Sequence, residues 1–355
     1  MNFVRIRTSR RTHSTDRAGW LAVREMGLIV VILAVLFWLQ SLCGNESAST
    51  PSCPNGLSER AVYRISLDQT GDRLWVFRPS DGITRKNLVT CEVEQRLDVP
   101  FSETAALAHS SDGLTSLWCK SDGLLSLARD HHESRLAQIP LLGDFVVDAA
   151  VSHDGATAIC ATSQGQFRGW THDESGAREI AYQLPSRSTV MNIRLNRNGN
   201  RLCVMWFNGE ISFHCPVTGI DLGARLSIGS RCLAMCWSDD ERLVGVVADE
   251  KIRVYDTTNG EIVFLAPVEG GSAMYVTCVM ISPDSKLLAM ATNLTPEIRL
   301  WNLETGTSTG GLHGHTGIVR GLQFSPTSVH LFSAGYDGTI REWSVTSRAQ
   351  LRRID

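Results

Sequence analysis

Most of the signals that announce an enzyme are missing from this chain of 355 residues. No Gly-rich loop stands between a strand and a helix to cradle phosphate. No Gly-x-Ser-x-Gly turn presents a nucleophile, and no His-Glu-x-x-His helix offers a catalytic metal site. Basic residues are not in excess: 34 Lys and Arg face 37 Asp and Glu, a net charge of −3. The positive footprint of a nucleic-acid binder is therefore lacking, and nucleic acid is not an expected partner. Charged residues make up only 20% of the chain against 43% apolar ones, which excludes a disordered polyelectrolyte. The prolines are scattered and no low-complexity tract stands out. Long apolar runs are scarce too, the longest being twelve residues at 28–39.

What is present is a repeat. Near the C-terminus, LHGHTGIVRGLQFSPTSVHLFSAGYDGTIREWSV (312–345) holds three short apolar runs at 318–324, 330–334 and 339–345. Ser325-Pro326 and Asp337-Gly338 separate them. Asp-Gly between two alternating runs predicts a hairpin, because Gly accepts positive φ and Asp bonds its own backbone. The turn after the first run recurs at Gly71, Gly113, Gly155, Gly199, Glu241, Ser285 and Ser328, in steps of 42–44 residues. A unit of three or four strands at a period of about 40–45 residues is the signature of a propeller blade. The clearest copies besides the last read AVSHDGATAICATSQGQFRGW (150–170) and VMISPDSKLLAMATNLTPEIRLWN (279–302).

The chain resembles the WD-repeat β-propeller family over residues 61–355. A Gly-His pair precedes the first strand of the last unit (Gly314-His315), and altered Trp-Asp pairs close the third strands: Trp343-Ser344, Trp301-Asn302, Tyr255-Asp256 and Trp170-Thr171. The resemblance implies an all-β, seven-bladed propeller of four-stranded antiparallel blades. Their expected extents are 61–99, 104–142, 146–185, 190–229, 232–272, 276–316 and a last blade ending at 350–354. It also implies a hydrogen-bonded tetrad of His315, Ser333, Asp337 and Trp343, complete in the last repeat alone. At the Trp position the other units place Arg85-Lys86, Leu127 and Phe213 in the first, second and fourth blades. Gln350 to Ile354 reads as the outer strand of the last blade. Ring closure then rests on blade-to-blade packing, or on a strand added from the region of Cys53 to Leu57.

Ahead of the propeller, residues 1–26 carry six arginines against Asp16 and Glu25, a net of +4 that leaves −7 for residues 27–355. The run at 28–39, extended to 26–43, spans about 18 to about 27 Å as a helix, short of the roughly 30 Å of a bilayer core. A buried core helix, a cleaved signal peptide and an uncleaved signal anchor at 27–43 compete. The anchor is preferred, because the polar leader is long and the nearest small-x-small site is Ser47-Ala48-Ser49. Arginines before the run, with none after it until Arg60, place the N-terminus on the cytoplasmic side and the propeller on the exported side. Cleavage would instead give a secreted or periplasmic domain. Residues 44–60 are small and polar and read as a flexible linker.

Ten cysteines in a chain with an exported domain suggest disulfides, yet Cys160, Cys203, Cys236 and Cys278 lie in apolar strands as small hydrophobes. Cys203 and Cys215 flank the Asn208-Gly209 hairpin. A two-residue turn sets Cys203 opposite His214, and a three-residue loop sets it opposite Cys215. Mostly free buried thiols are expected. Asp130-His131-His132-Glu133 is the densest metal-like run, but adjacent histidines on a strand face opposite sides, and a solvated loop explains it. No metal and no cofactor is expected. The family likeness implies a protein-interaction scaffold with other proteins as partners; the run at 27–43 adds the membrane tether, and the missing enzyme signatures the expectation that it is not an enzyme. The likeness places the partner-facing side at the Gly-His end of the blades, where Tyr336, Arg320 and Phe207 are the candidate contacts, aromatics and Arg being hot-spot residues. An exported propeller enzyme or small-ligand binder using the central channel is the alternative, and a cytosolic propeller is a second rival.

Overall fold

A computed structural model describes residues 61–97, 104–110, 114–129, 132–141, 143–173, 176–185, 188–268 and 276–354. The tail, the 27–43 segment and the linker, with the N-terminal apolar helix expected there, lie outside the described residues. Among the described residues, no helix is long and apolar enough to cross a membrane. The strands form seven four-stranded antiparallel sheets, each in simple up-and-down order. Their first strands are β1 (Arg64–Leu67), β5 (Thr104–His109), β9 (Val146–Val151), β13 (Val190–Leu195), β17 (Cys232–Trp237), β21 (Val276–Ile281) and β25 (Val319–Phe324). Successive first strands touch one another around the ring, so they line the centre and the fourth strands form the outside.

Local turn chemistry explains why each unit folds alike. The residue just after the first strand is Asp68, Ser110, Ser152, Asn196, Ser238, Ser282 or Ser325. In every blade its side chain accepts the backbone N–H five residues on, at 2.9–3.2 Å. The marker residues between sit at positive φ: 81° at Gly71, 67° at Gly155 and 65° at Gly199. Glu241, Ser285 and Ser328 adopt the same conformation at 64°, 59° and 60° without glycine's freedom.

Among the described residues there is no single central core. Apolar side chains instead form seven layers among the described residues, one per blade seam. A lone four-stranded sheet buries neither face, so each blade is stable only between two neighbours. The last seam closes the ring by packing. Ile65, Leu74 and Val76 of the first blade meet Phe332, Ala334 and Ile340 of the last. The Val62 N–H donates to the Gly335 carbonyl at 3.1 Å, and Arg352 donates to the Leu88 carbonyl at 2.6 Å. The outer strand of the last blade is β28 (Gln350–Ile354), supplied by the C-terminus itself.

Cross-strand register corrects two expectations at the Trp position. Leu331 pairs with Trp343, and the matching pairs are Leu74 with Lys86, Ser116 with Ala128 and Leu202 with His214. Lys86 holds the place in the first blade. Ala128 rather than Leu127, and His214 rather than Phe213, hold it in the second and fourth. The same register puts Cys203 opposite Phe213, a pairing neither turn length had suggested. Cys203 and Cys215 are free thiols, the first buried and the second half-buried. His132 and Glu133 begin the strand β8 (His132–Gln138), while Asp130 and His131 lie outside the described residues.

Candidate functional site

The best-ordered polar set sits in the last blade. His315 arrives from the loop before β25 and is buried. Its Nδ1 lies 2.8 Å from Asp337 Oδ2 and its Nε2 2.7 Å from the Ser333 hydroxyl on β26 (His330–Gly335). The Trp343 indole N–H, on β27 (Ile340–Ser344), donates to the same Ser333 oxygen at 2.8 Å. With the carboxylate accepting at Nδ1, Nε2 is left to accept the Ser333 proton, so every polar atom has one consistent role. Burial alone would raise the Asp337 carboxyl. Hydrogen bonds from His315 and from the backbone N–H groups of Thr316 and Thr339 reverse that and hold it well below the usual carboxylate range. The result is mechanical: the Gly-His loop is tied to the turn at 336–338, which fixes the residue before Asp337.

That residue is Tyr336. It is half-buried at the end of the blade where the second strand turns into the third. The Arg320 guanidinium lies over its ring, 5.7 Å from the centroid, and Tyr63 packs against it at 5.2 Å. Phe207 occupies the matching turn of the fourth blade, half-exposed, with Arg231 over its ring at 4.8 Å. Its neighbour Trp206 is 1% exposed and belongs to the seam between third and fourth blades. Tyr336, Arg320 and Phe207 thus lie on one end of the ring, with Tyr63 and Arg231 added to them. Neither addition belongs to a repeat motif; each just precedes a first strand, where only the pairing of strands shows the side chain's position.

A second network was not legible as a tetrad. In the fourth blade the Trp206 N–H donates to the Ser212 hydroxyl at 2.7 Å, and Ser212 lies 2.8 Å from His214 Nε2. The other ring nitrogen of His214 is 3.3 Å from the Gly219 carbonyl. The donor order matches that of the last blade, Trp to Ser to His, but His214 stands at the Trp position and the Trp on the second strand. These residues, with Leu184, Pro185 and Asp221, line a cleft of ≈ 270 Å³. The inner wall holds Asp148, which accepts from Arg194 at 2.8 Å, Asn192 at 2.7 Å and the backbone N–H of Ala149 at 2.9 Å. Among the described residues, no three His, Cys, Asp or Glu side chains come together as a metal set.

Comparison with known proteins agrees with this architecture. Residues 306–344 match the family described as "WD domain, G-beta repeat", which places a WD repeat in the last blade. Lissencephaly-1 homolog 1 of Paramecium tetraurelia is 35% identical over 68 residues, 19% of this chain and 17% of that protein. Periodic tryptophan protein 2 of Arabidopsis thaliana is 40% identical over 68 residues, 19% of this chain and 7% of its own length. The chicken DDB1- and CUL4-associated factor 13 is 30% identical over 104 residues, 28% of this chain and 23% of that protein. The matched regions therefore span under a quarter of each relative. The β-propeller domain of Cps50 (Swd1) from Myceliophteria thermophila superposes with a TM-score of 0.66 at 18% identity, covering 82% of this chain and all of that domain. At that identity the likeness concerns the fold.

Proposed function

We propose that this chain is a protein-interaction scaffold whose binding face is the end of the propeller bearing Tyr336, Arg320 and Phe207, tethered to a membrane through residues 27–43. The observation that carries the first part is the stacking of two arginines on two half-buried aromatics at that end. Rigid aromatic and guanidinium surface is what binding hot spots are made of. The name of the similar DDB1- and CUL4-associated factor 13, which speaks of association with other proteins, supports the same reading. The tether rests on the apolar run with arginines on one side only, which also orients the propeller to the exported side. Affinity capture with crosslinking from the membrane fraction tests both parts. A Tyr336→Ala, Arg320→Ala double variant with an unchanged melting temperature should lose its partners. Undiminished recovery removes this face from the proposal. Recovery of a soluble chain beginning near residues 43–50 removes the tether.

A further inference from the structure

Six of the seven first strands carry a β-bulge near their start, where the chain enters the blade from the aromatic-bearing end. The extra residues are Ala105, Val147, Met191, Leu233, Thr277 and Arg320, and all are half-buried. A bulge re-aims a side chain out of the regular alternation. Here it repeats near the start of the innermost strands, at the aromatic-bearing end of the ring, where Ala105, Val147, Met191 and Leu233 are packed in part against the blade seams. The set is apolar over four blades. At the sixth blade the Thr277 hydroxyl is already committed, donating to the Val319 carbonyl at 2.6 Å. At the seventh stands the cation of Arg320.

Arg320 has a companion. Arg231 enters the fifth blade one residue before β17, at the same end of the ring. Among the described residues many arginines are paired with acids, such as Arg73 with Glu94, Arg194 with Asp148, Arg225 with Glu210 and Arg352 with Glu342. Among the described residues, Arg231 and Arg320 meet no carboxylate and donate no hydrogen bond, and their contacts are with aromatic rings. The Nε of Arg231 is buried without a partner. Burial lowers the Arg231 pKa with no acid beside it to compensate. A partly desolvated, unpaired guanidinium held by a ring is preorganised for an incoming carboxylate, which would supply the bidentate bonds now missing.

We propose that this end of the ring binds a short peptide carrying Asp or Glu beside apolar residues, with Arg231 and Arg320 taking the carboxylates and Met191, Leu233 and Val147 the apolar flank. This rests on the reading of that end of the ring as the binding face, and it names the chemistry of the partner.

The test is selection of phage-displayed random 12-residue peptides on the purified full chain. An Arg231→Gln, Arg320→Gln variant, checked to melt with the wild type, is run in parallel. The expected result is enrichment of peptides that contain Asp or Glu next to Leu, Ile or Met. A synthesised winner should bind at least tenfold more weakly to the double variant, and its Asp→Asn, Glu→Gln version should lose as much against the wild type. Peptides selected without acidic residues overturn the inference, as does acidic enrichment that the variant retains. Capture of partners that depends on Tyr336 but not on the arginines would overturn it too, while leaving the scaffold itself standing. Cosedimentation of the wild type with phosphatidylserine vesicles, in the absence of any peptide selection, would assign the arginines to a lipid surface instead.

Discussion

Replacing Trp343 with Ala tests whether the last blade is locked into the ring as its hydrogen bonds indicate. The side chain is 1% exposed and packs in the seam between the sixth and seventh blades, against Leu300, Leu312 and Leu331 among others. A buried tryptophan removes about 150–250 Å² from water, an upper bound of about 4–6 kcal/mol at about 25 cal/mol per Å². Measured truncations of this size cost about 3–5 kcal/mol. The lost N–H adds little, because Ser333 keeps its bond to His315 and is not left unsatisfied. Against a total stability of about 5–15 kcal/mol, the variant is expected to fold but to melt about 6–15 °C lower. Urea unfolding followed by circular dichroism measures the loss directly. Trp343→Phe, which retains most of the area, should cost about 1–2 kcal/mol, chiefly for the smaller ring. A loss below about 1 kcal/mol for Trp343→Ala would mean that the indole is not a seam residue, and the tetrad would have to be abandoned.

Asp337→Asn should destabilise by about 1.5–3 kcal/mol near neutral pH, since it removes a charged acceptor of several hydrogen bonds. Because the folded carboxyl is held below its unfolded value, that advantage is complete above the ordinary carboxylate range and lost as pH falls through the folded pKa. The gap between wild type and variant in melting temperature should therefore close on acidification; a gap independent of pH would refute the assignment. Ser285→Gly should stabilise by about 1 kcal/mol, because it relieves a positive φ and deletes a buried hydroxyl without a partner. Any decrease in the urea midpoint would contradict that. Among the described cysteines, exposed Cys91 should react first with a thiol reagent in the native state. Cys203 and Cys236, whose thiols burial pushes up to about 12, should react only after unfolding. A Cys203 that stays unreactive in denaturant without reductant would reveal a disulfide.

The repeat and its period were legible in the chain because turn chemistry is local. Gly71, Gly155 and Gly199 mark the turns by their own conformational freedom, and Asp337-Gly338 marks a hairpin whatever surrounds it. His315, Ser333, Asp337 and Trp343 could be named beforehand only through the family resemblance, since the last repeat keeps its motif residues in order. Register was another matter. Ala128 and His214 hold the places expected of Leu127 and Phe213 because a shift of one residue turns every side chain to the other face, and pairing, not composition, sets that shift. The Trp206–Ser212–His214 chain escaped notice because its members sit on strands other than those the motif assigns. The bulges at Met191, Leu233 and Arg320 leave no mark in residue type. The seam of Ile65 and Val76 with Phe332 and Ile340 joins residues at opposite ends of the propeller. Only the closed ring brings them together, because a blade that buries neither face alone takes its partners from the tertiary fold.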